Sequence, residues 1–121
     1  MLVKEVREWM QTFPVKVHFD ATIEEAKRLM IENKQGRIIV VDQEDHIVGI
    51  LTDSDVLRSE EHQITVDKVM NPMVVTINEE QTIRDAGRLL IENNIAGLPV
   101  VDTEGKVVGL LTSREIQRLY G

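Results

Sequence analysis

TIEEAKRLMIEN (Thr22–Asn33) and TIRDAGRLLIEN (Thr82–Asn93) are one segment written twice, 60 residues apart. The same shift lays RIIVVDQEDHIVGILT (Arg37–Thr52) over GLPVVDTEGKVVGLLT (Gly97–Thr112). Residues 10–61 overlie residues 70–121 without a gap, and 19 of the 52 aligned pairs are identical. Self-similarity on this scale marks duplicated structural units. A copy of this length is marginal as an independent fold, so two copies are expected to share their burial.

A shorter period runs inside the repeat. Thr-x-x-Glu or Thr-x-x-Asp recurs at Thr22/Glu25, Thr52/Asp55, Thr82/Asp85 and Thr112/Glu115. A threonine oxygen and an acidic side chain three residues on can satisfy the orphan amides of a helix's first turn, so four helix starts are predicted. The first predicted helix puts Ile23, Ala26, Leu29 and Met30 on one stripe, and the third repeats it with Ile83, Ala86, Leu89 and Leu90. Strands fill the intervals: Val15–Phe19 and Val74–Ile77, then the runs RIIVV and LPVV, which suit strands covered on both faces. Polar turns at Asp42–Asp45 and Asp102–Gly105 lead into further apolar strands, making hairpins. The predicted fold is therefore mixed α+β: two β-α-β-β-α repeats related by a pseudo-twofold axis, their sheets packed face to face. The boundaries expected are 1–61, with an entering helix at 1–10, and 62–121, with an entering helix at 66–70. Glu60–Thr65 is the expected linker.

Composition narrows the function. A net charge of −7 argues against a general nucleic-acid binder, which must neutralise phosphates with Lys and Arg. No apolar run has the length of a membrane span and the N-terminus lacks a signal-peptide pattern, so no membrane role and a cytoplasmic location are expected. The absence of cysteine excludes disulfides and thiolate chemistry. His18, His46 and His62 are widely separated and show no ligand spacing, so surface histidines and no metal are expected. Ser54 and Ser113 have no adjacent base, and catalysis is not expected.

The pattern resembles a pair of cystathionine-β-synthase (CBS) domains in tandem, a Bateman module. The marks are Val6 to Met10, V-D-K-V-M-N-P (Val66–Pro72), N-N-I-A-G-L-P-V-V-D (Asn93–Asp102) and G-I-L-T-D-S-D (Gly49–Asp55). The resemblance implies a regulatory module with no cofactor in the catalytic sense. It would bind an adenosine-containing metabolite in a cleft between repeats: AMP, ADP or ATP first, S-adenosylmethionine or a cyclic dinucleotide as further members. A conformational change would pass to a regulated protein partner or to a dimer mate. The alternative is a structural homodimerisation module with degenerate, empty clefts. Val56, Leu57, Ile116, Leu119 and Tyr120 are the expected dimer face.

At Gly49–Asp55 a buried strand stops and a helix starts, so unpaired amides there can meet phosphate. The Thr52 hydroxyl can join them, and the Asp55 carboxylate can accept both ribose hydroxyls. By resemblance the main site joins Ile50, Thr52, Asp55 and Arg37 to Met73, Val75 and Ala96, with Met73, Val75 and Ile50 around adenine and Arg37 on phosphate. A second, weaker site would use Leu110, Thr112, Glu115 and Arg114 with Phe13, Val15 and Gly36. There Glu115 stands in place of aspartate, and its extra methylene displaces the carboxylate. A plain capping role for Thr52 and Asp55 is the competing reading.

Overall fold

The computed structural model describes residues 3–61 and 63–120, the side chain of residue 120 excepted. Helices follow all four threonines: α1 (Ile23–Asn33), α2 (Asp53–Arg58), α3 (Ile83–Asn93) and α4 (Ser113–Tyr120). Thr52 and Thr82 form reciprocal capping boxes with Asp55 and Asp85. Thr22 accepts the Glu25 amide as a one-sided cap, without the reciprocal bond of a capping box. α1 and α3 both stop at a left-handed residue, Lys34 (φ 54°) and Asn94 (φ 52°), whose amides return to the last turn.

The strands are β1 (Lys16–His18), β2 (Arg37–Val41), β3 (Ile47–Thr52), β4 (Ile77–Asn78), β5 (Gly97–Val101) and β6 (Val107–Thr112). They make two three-stranded sheets, ordered β1-β2-β3 and β4-β5-β6. In each sheet the first pair is parallel and the second antiparallel. β1 and β4 are shorter than the β-rich stretches suggest. The hairpin turns are held by one device used twice: Asp42 Oδ1 accepts the Glu44 and His46 amides, and Asp102 Oδ1 accepts those of Glu104 and Lys106. Ile38, Ile39, Val40 and Val41 are all buried, as a strand covered on both faces requires.

Two compact units result, and they do not follow the repeat boundaries: residues 15–74 form one, and residues 1–14 with 75–121 form the other. The core of the first contains Val17, Ile23, Ala26, Met30, Ile38, Val40, Leu51 and Val56, closed by Val66. The second contains Ile77, Ile83, Ala86, Leu90, Leu98, Val100 and Leu111, closed by Val6. Each entering segment thus docks on the body of the other repeat. Among the described residues, the predicted entering helices at 1–10 and 66–70 are each a single 3-10 turn, Val6–Glu8 and Val66–Lys68.

Backbone hydrogen bonds account for the exchange. Gln11 and Leu110 exchange both amide-to-carbonyl bonds at 2.8 and 2.9 Å, and Asn71 and Ile50 do the same at 2.9 Å each. Each entering segment therefore runs antiparallel along the last strand of a hairpin. Burying one valine fully adds roughly 1.5–3 kcal/mol. Gly49 and Gly109 permit the close approach: a Cβ there would lie 3.0 Å from the Asn71 carbonyl oxygen and 2.8 Å from that of Gln11, respectively. Among the described residues no helix is long and apolar enough to cross a membrane.

Candidate functional site

In the unit of residues 15–74, β3 runs directly into α2. Thr52 is both the last strand residue and the helix cap, with its oxygen accepting the Asp55 amide at 3.2 Å. Asp55 answers through Oδ2, which accepts the Thr52 amide at 2.9 Å, while Oδ1 accepts Arg58 Nη2 at 2.7 Å. Arg58 is largely exposed, so solvent or a ligand hydroxyl can replace it at little cost. The Thr52 hydroxyl still has its own proton to donate.

Arg37 lies beside this turn, opposite Thr52 in the β2–β3 register, and is exposed. Ile50 is half-buried and pairs with Asn71. Asn71 Oδ1 accepts the Met73 amide at 3.0 Å, and Met73 is 83% exposed. Ile50, Thr52, Asp55, Arg37 and Met73 therefore belong to one unit. Val75 and Ala96 belong to the other: Val75 packs against its core, and the exposed Ala96 accepts the Ser113 amide through its carbonyl.

The amide cradle expected for phosphate is mostly spent. Asp53 donates its amide to the Gly36 carbonyl at 2.9 Å and Asp55 donates to Thr52, so two of the first-turn amides are satisfied within the unit. α2 has six residues and carries Asp53 and Asp55 in its first turn, which further disfavours an anion at its start. The cationic partner nearest this turn in the strand register is Arg37.

The corresponding turn of the other unit is built differently. Glu115 is 6% exposed, the one buried polar or charged residue among those described. Its Oε1 accepts Gln11 Nε2 at 2.7 Å and its Oε2 accepts the Thr112 hydroxyl at 2.5 Å. Leu110 is half-buried, Arg114 is exposed, and Phe13 is 94% exposed with a left-handed φ of 54°. Val15 and Gly36 lie in the unit of residues 15–74, Val15 against its core. Sequence reasoning did not single out Gln11. Its signal was available: Gln11 aligns with Asn71 under the same shift that aligns Glu115 with Asp55.

Among the described residues, no group of three or more His, Asp or Glu side chains is placed to hold a metal ion. His18 is exposed and His46 lies 3.6 Å from Asp42; His62 is outside the described residues. The expected dimer face is corrected in part. Val56 is 5% exposed and Ile116 and Leu119 pack against a core, because α2 and α4 need those residues to cover their sheets, while Leu57 is 84% exposed. The side chain of Tyr120 lies outside the described part.

The CBS domain model matches the chain twice, over residues 3–62 and 66–121. The L-aspartate semialdehyde sulfurtransferase of Methanocaldococcus jannaschii is 30% identical over 117 residues, which are 96% of this chain and 23% of that protein. The chain thus spans about a quarter of the length of the curated enzymes it matches first. The CBS domain pair of protein MJ0100, crystallised with 5′-methylthioadenosine and S-adenosyl-L-methionine, superposes with a TM-score of 0.85 at 29% identity, covering 99% of this chain and 98% of that one. CBSX2 in complex with AMP gives 0.85 at 26% identity, covering 97% and 96%; CBSX2 is from Arabidopsis thaliana. The cytosolic domain of the Mg2+ channel MgtE in complex with ATP gives 0.88 at 27% identity, covering 96% of this chain and 48% of that one.

Proposed function

Since the chain belongs to the CBS domain family, as a tandem pair, we propose that it is a regulatory module that binds an adenosine-containing metabolite and performs no covalent chemistry. The observation that carries this reading is the likeness, over nearly the whole chain, to three structures that hold methylthioadenosine with S-adenosylmethionine, AMP and ATP. In this chain the Asp55 carboxylate takes the ribose hydroxyls, replacing exposed Arg58 on Oδ1. With the first-turn amides spent on Gly36 and Thr52, phosphate lies beside the turn, against the Thr52 hydroxyl and the Arg37 guanidinium that offsets the two aspartates, and Ile50 and Met73 face the adenine. Roles for Val75 and Ala96 rest on the resemblance alone, and the Thr112–Glu115 turn is the weaker counterpart.

Ligand binding regulates only if two conformations differ in affinity, the difference being passed to a protein partner or a second copy. Calorimetry and thermal unfolding with AMP, ADP, ATP, S-adenosylmethionine, methylthioadenosine and cyclic di-AMP test the reading. A ligand held at about 100 times its Kd adds roughly 2.7 kcal/mol to stability. Silence across the panel rejects the sensor role. A homodimerisation module is the second reading, favoured by the solvent-facing Leu57 on α2. Light scattering decides it, a monomer at tens of micromolar removing it.

A further inference from the structure

The two units differ at a matched pair of positions. Asn71 and Asp55 in one unit correspond to Gln11 and Glu115 in the other, each one methylene longer. The shorter pair is split: Asn71 Oδ1 accepts the Met73 amide, and Asp55 turns to Thr52 and Arg58. The longer pair meets, Gln11 Nε2 donating to Glu115 Oε1 at 2.7 Å while the Thr112 hydroxyl occupies Oε2. Glu115 is buried, so its carboxyl oxygens need those donors in place of water. Gln11 is held by its backbone to Leu110, which fixes where its amide can reach.

We infer that Gln11 is a positioning residue: it locks Glu115 into an internal clamp that fastens the N-terminal segment to β6 and α4 and withdraws this carboxylate from ligands. Each chain therefore takes one adenosine ligand, at the Asp55 turn. The clamp stands on the geometry alone, while its consequence for ligand number rests on the proposed sensor function.

Two measurements test it on the full chain. A double-mutant cycle of Gln11→Ala and Glu115→Met in urea unfolding reads the clamp. Gln11→Ala should lower the folding constant about tenfold or more, since its amide bonds a charged group. The same change in the Glu115→Met background should have at most a small effect. Additive effects overturn the clamp. Calorimetry with AMP reads the consequence. The wild-type chain should bind one equivalent, and the exchange variant Gln11→Asn/Glu115→Asp, which writes the Asn71/Asp55 pair into the second unit, should bind two. Two equivalents in the wild type, or one in a folded exchange variant, overturn the withdrawal of the carboxylate. A wild-type chain silent to AMP counts against the sensor function, and the unfolding cycle then decides the clamp by itself.

Discussion

Asp55 and Asp85 form an internal experiment. Each closes a capping box with the threonine three residues before it, through Oδ2 contacts of 2.9 and 3.4 Å, and each holds an arginine three residues on, at 2.7 Å. Replacing either by alanine removes one cap bond and one exposed ion pair. The cap is worth about 1 kcal/mol and the exposed pair at most about 1 kcal/mol. Asp55→Ala and Asp85→Ala should therefore destabilise the chain by similar amounts in urea unfolding. Their effect on ligand should differ. A charge-assisted bond to ribose contributes roughly 1.5–3 kcal/mol, so Asp55→Ala should weaken AMP binding by tenfold or more. Asp85→Ala should leave it unchanged. Calorimetry on both variants, at concentrations where each is folded, separates the two roles. Unchanged affinity in Asp55→Ala, or equal losses in both, would refute the binding role and leave Thr52 and Asp55 as a cap only.

Three other predictions follow from packing and charge. Gly109→Ala forces a Cβ to within 2.5 Å of Met10 Sδ and 2.8 Å of the Gln11 carbonyl oxygen; the methionine can move but the paired backbone cannot, so a loss of about 1–3 kcal/mol is expected in denaturant unfolding. Gly87 lies inside α3 with nothing within 4 Å of its would-be Cβ, so Gly87→Ala should raise stability by about 0.5–1 kcal/mol, read as a higher urea midpoint. The Asp42 carboxyl is held below the usual aspartate range chiefly by the His46 amide, and the Asp85 carboxyl chiefly by the Thr82 amide. Folded values below the unfolded one, about 3.9, mean that their contribution is complete above that pH. It is lost as pH falls through the folded values. An NMR titration of the two carboxyls in the native chain, showing midpoints at or above the unfolded value, would contradict this.

Much of the architecture was legible because its signals are local. The threonines mark the helix starts, the stripe from Ile23 to Met30 supplies the buried face of α1, and Asp42 and Asp102 mark the hairpin turns. A cap, a stripe or a turn depends on residues a few places apart, so the chain itself specifies it. The candidate site was only partly legible. Thr52, Asp55, Ile50, Arg37 and Met73 do share a unit, but the amides expected to meet phosphate are used by Gly36 and Thr52. That expenditure depends on how the β2 entry loop lies against α2, a contact between segments 17 residues apart.

The order of elements, the duplication and the aliphatic core could be read from the amino-acid sequence alone, because each rests on periodicity and neighbouring residues. Which body each entering segment joins could not. Val6 and Val66 are fully buried alike, each on the core of the other repeat, and a valine in a short apolar segment fits either core. Backbone pairing distinguishes the two arrangements: Val6 with Gln81 and Gln11 with Leu110 in one unit, Val66 with Ala21 and Asn71 with Ile50 in the other. The meeting of Gln11 with Glu115, 104 residues apart, follows from that exchange and from the reach of two longer side chains. Tertiary structure decided it, because a buried carboxylate is satisfied by whichever donors the fold brings to it.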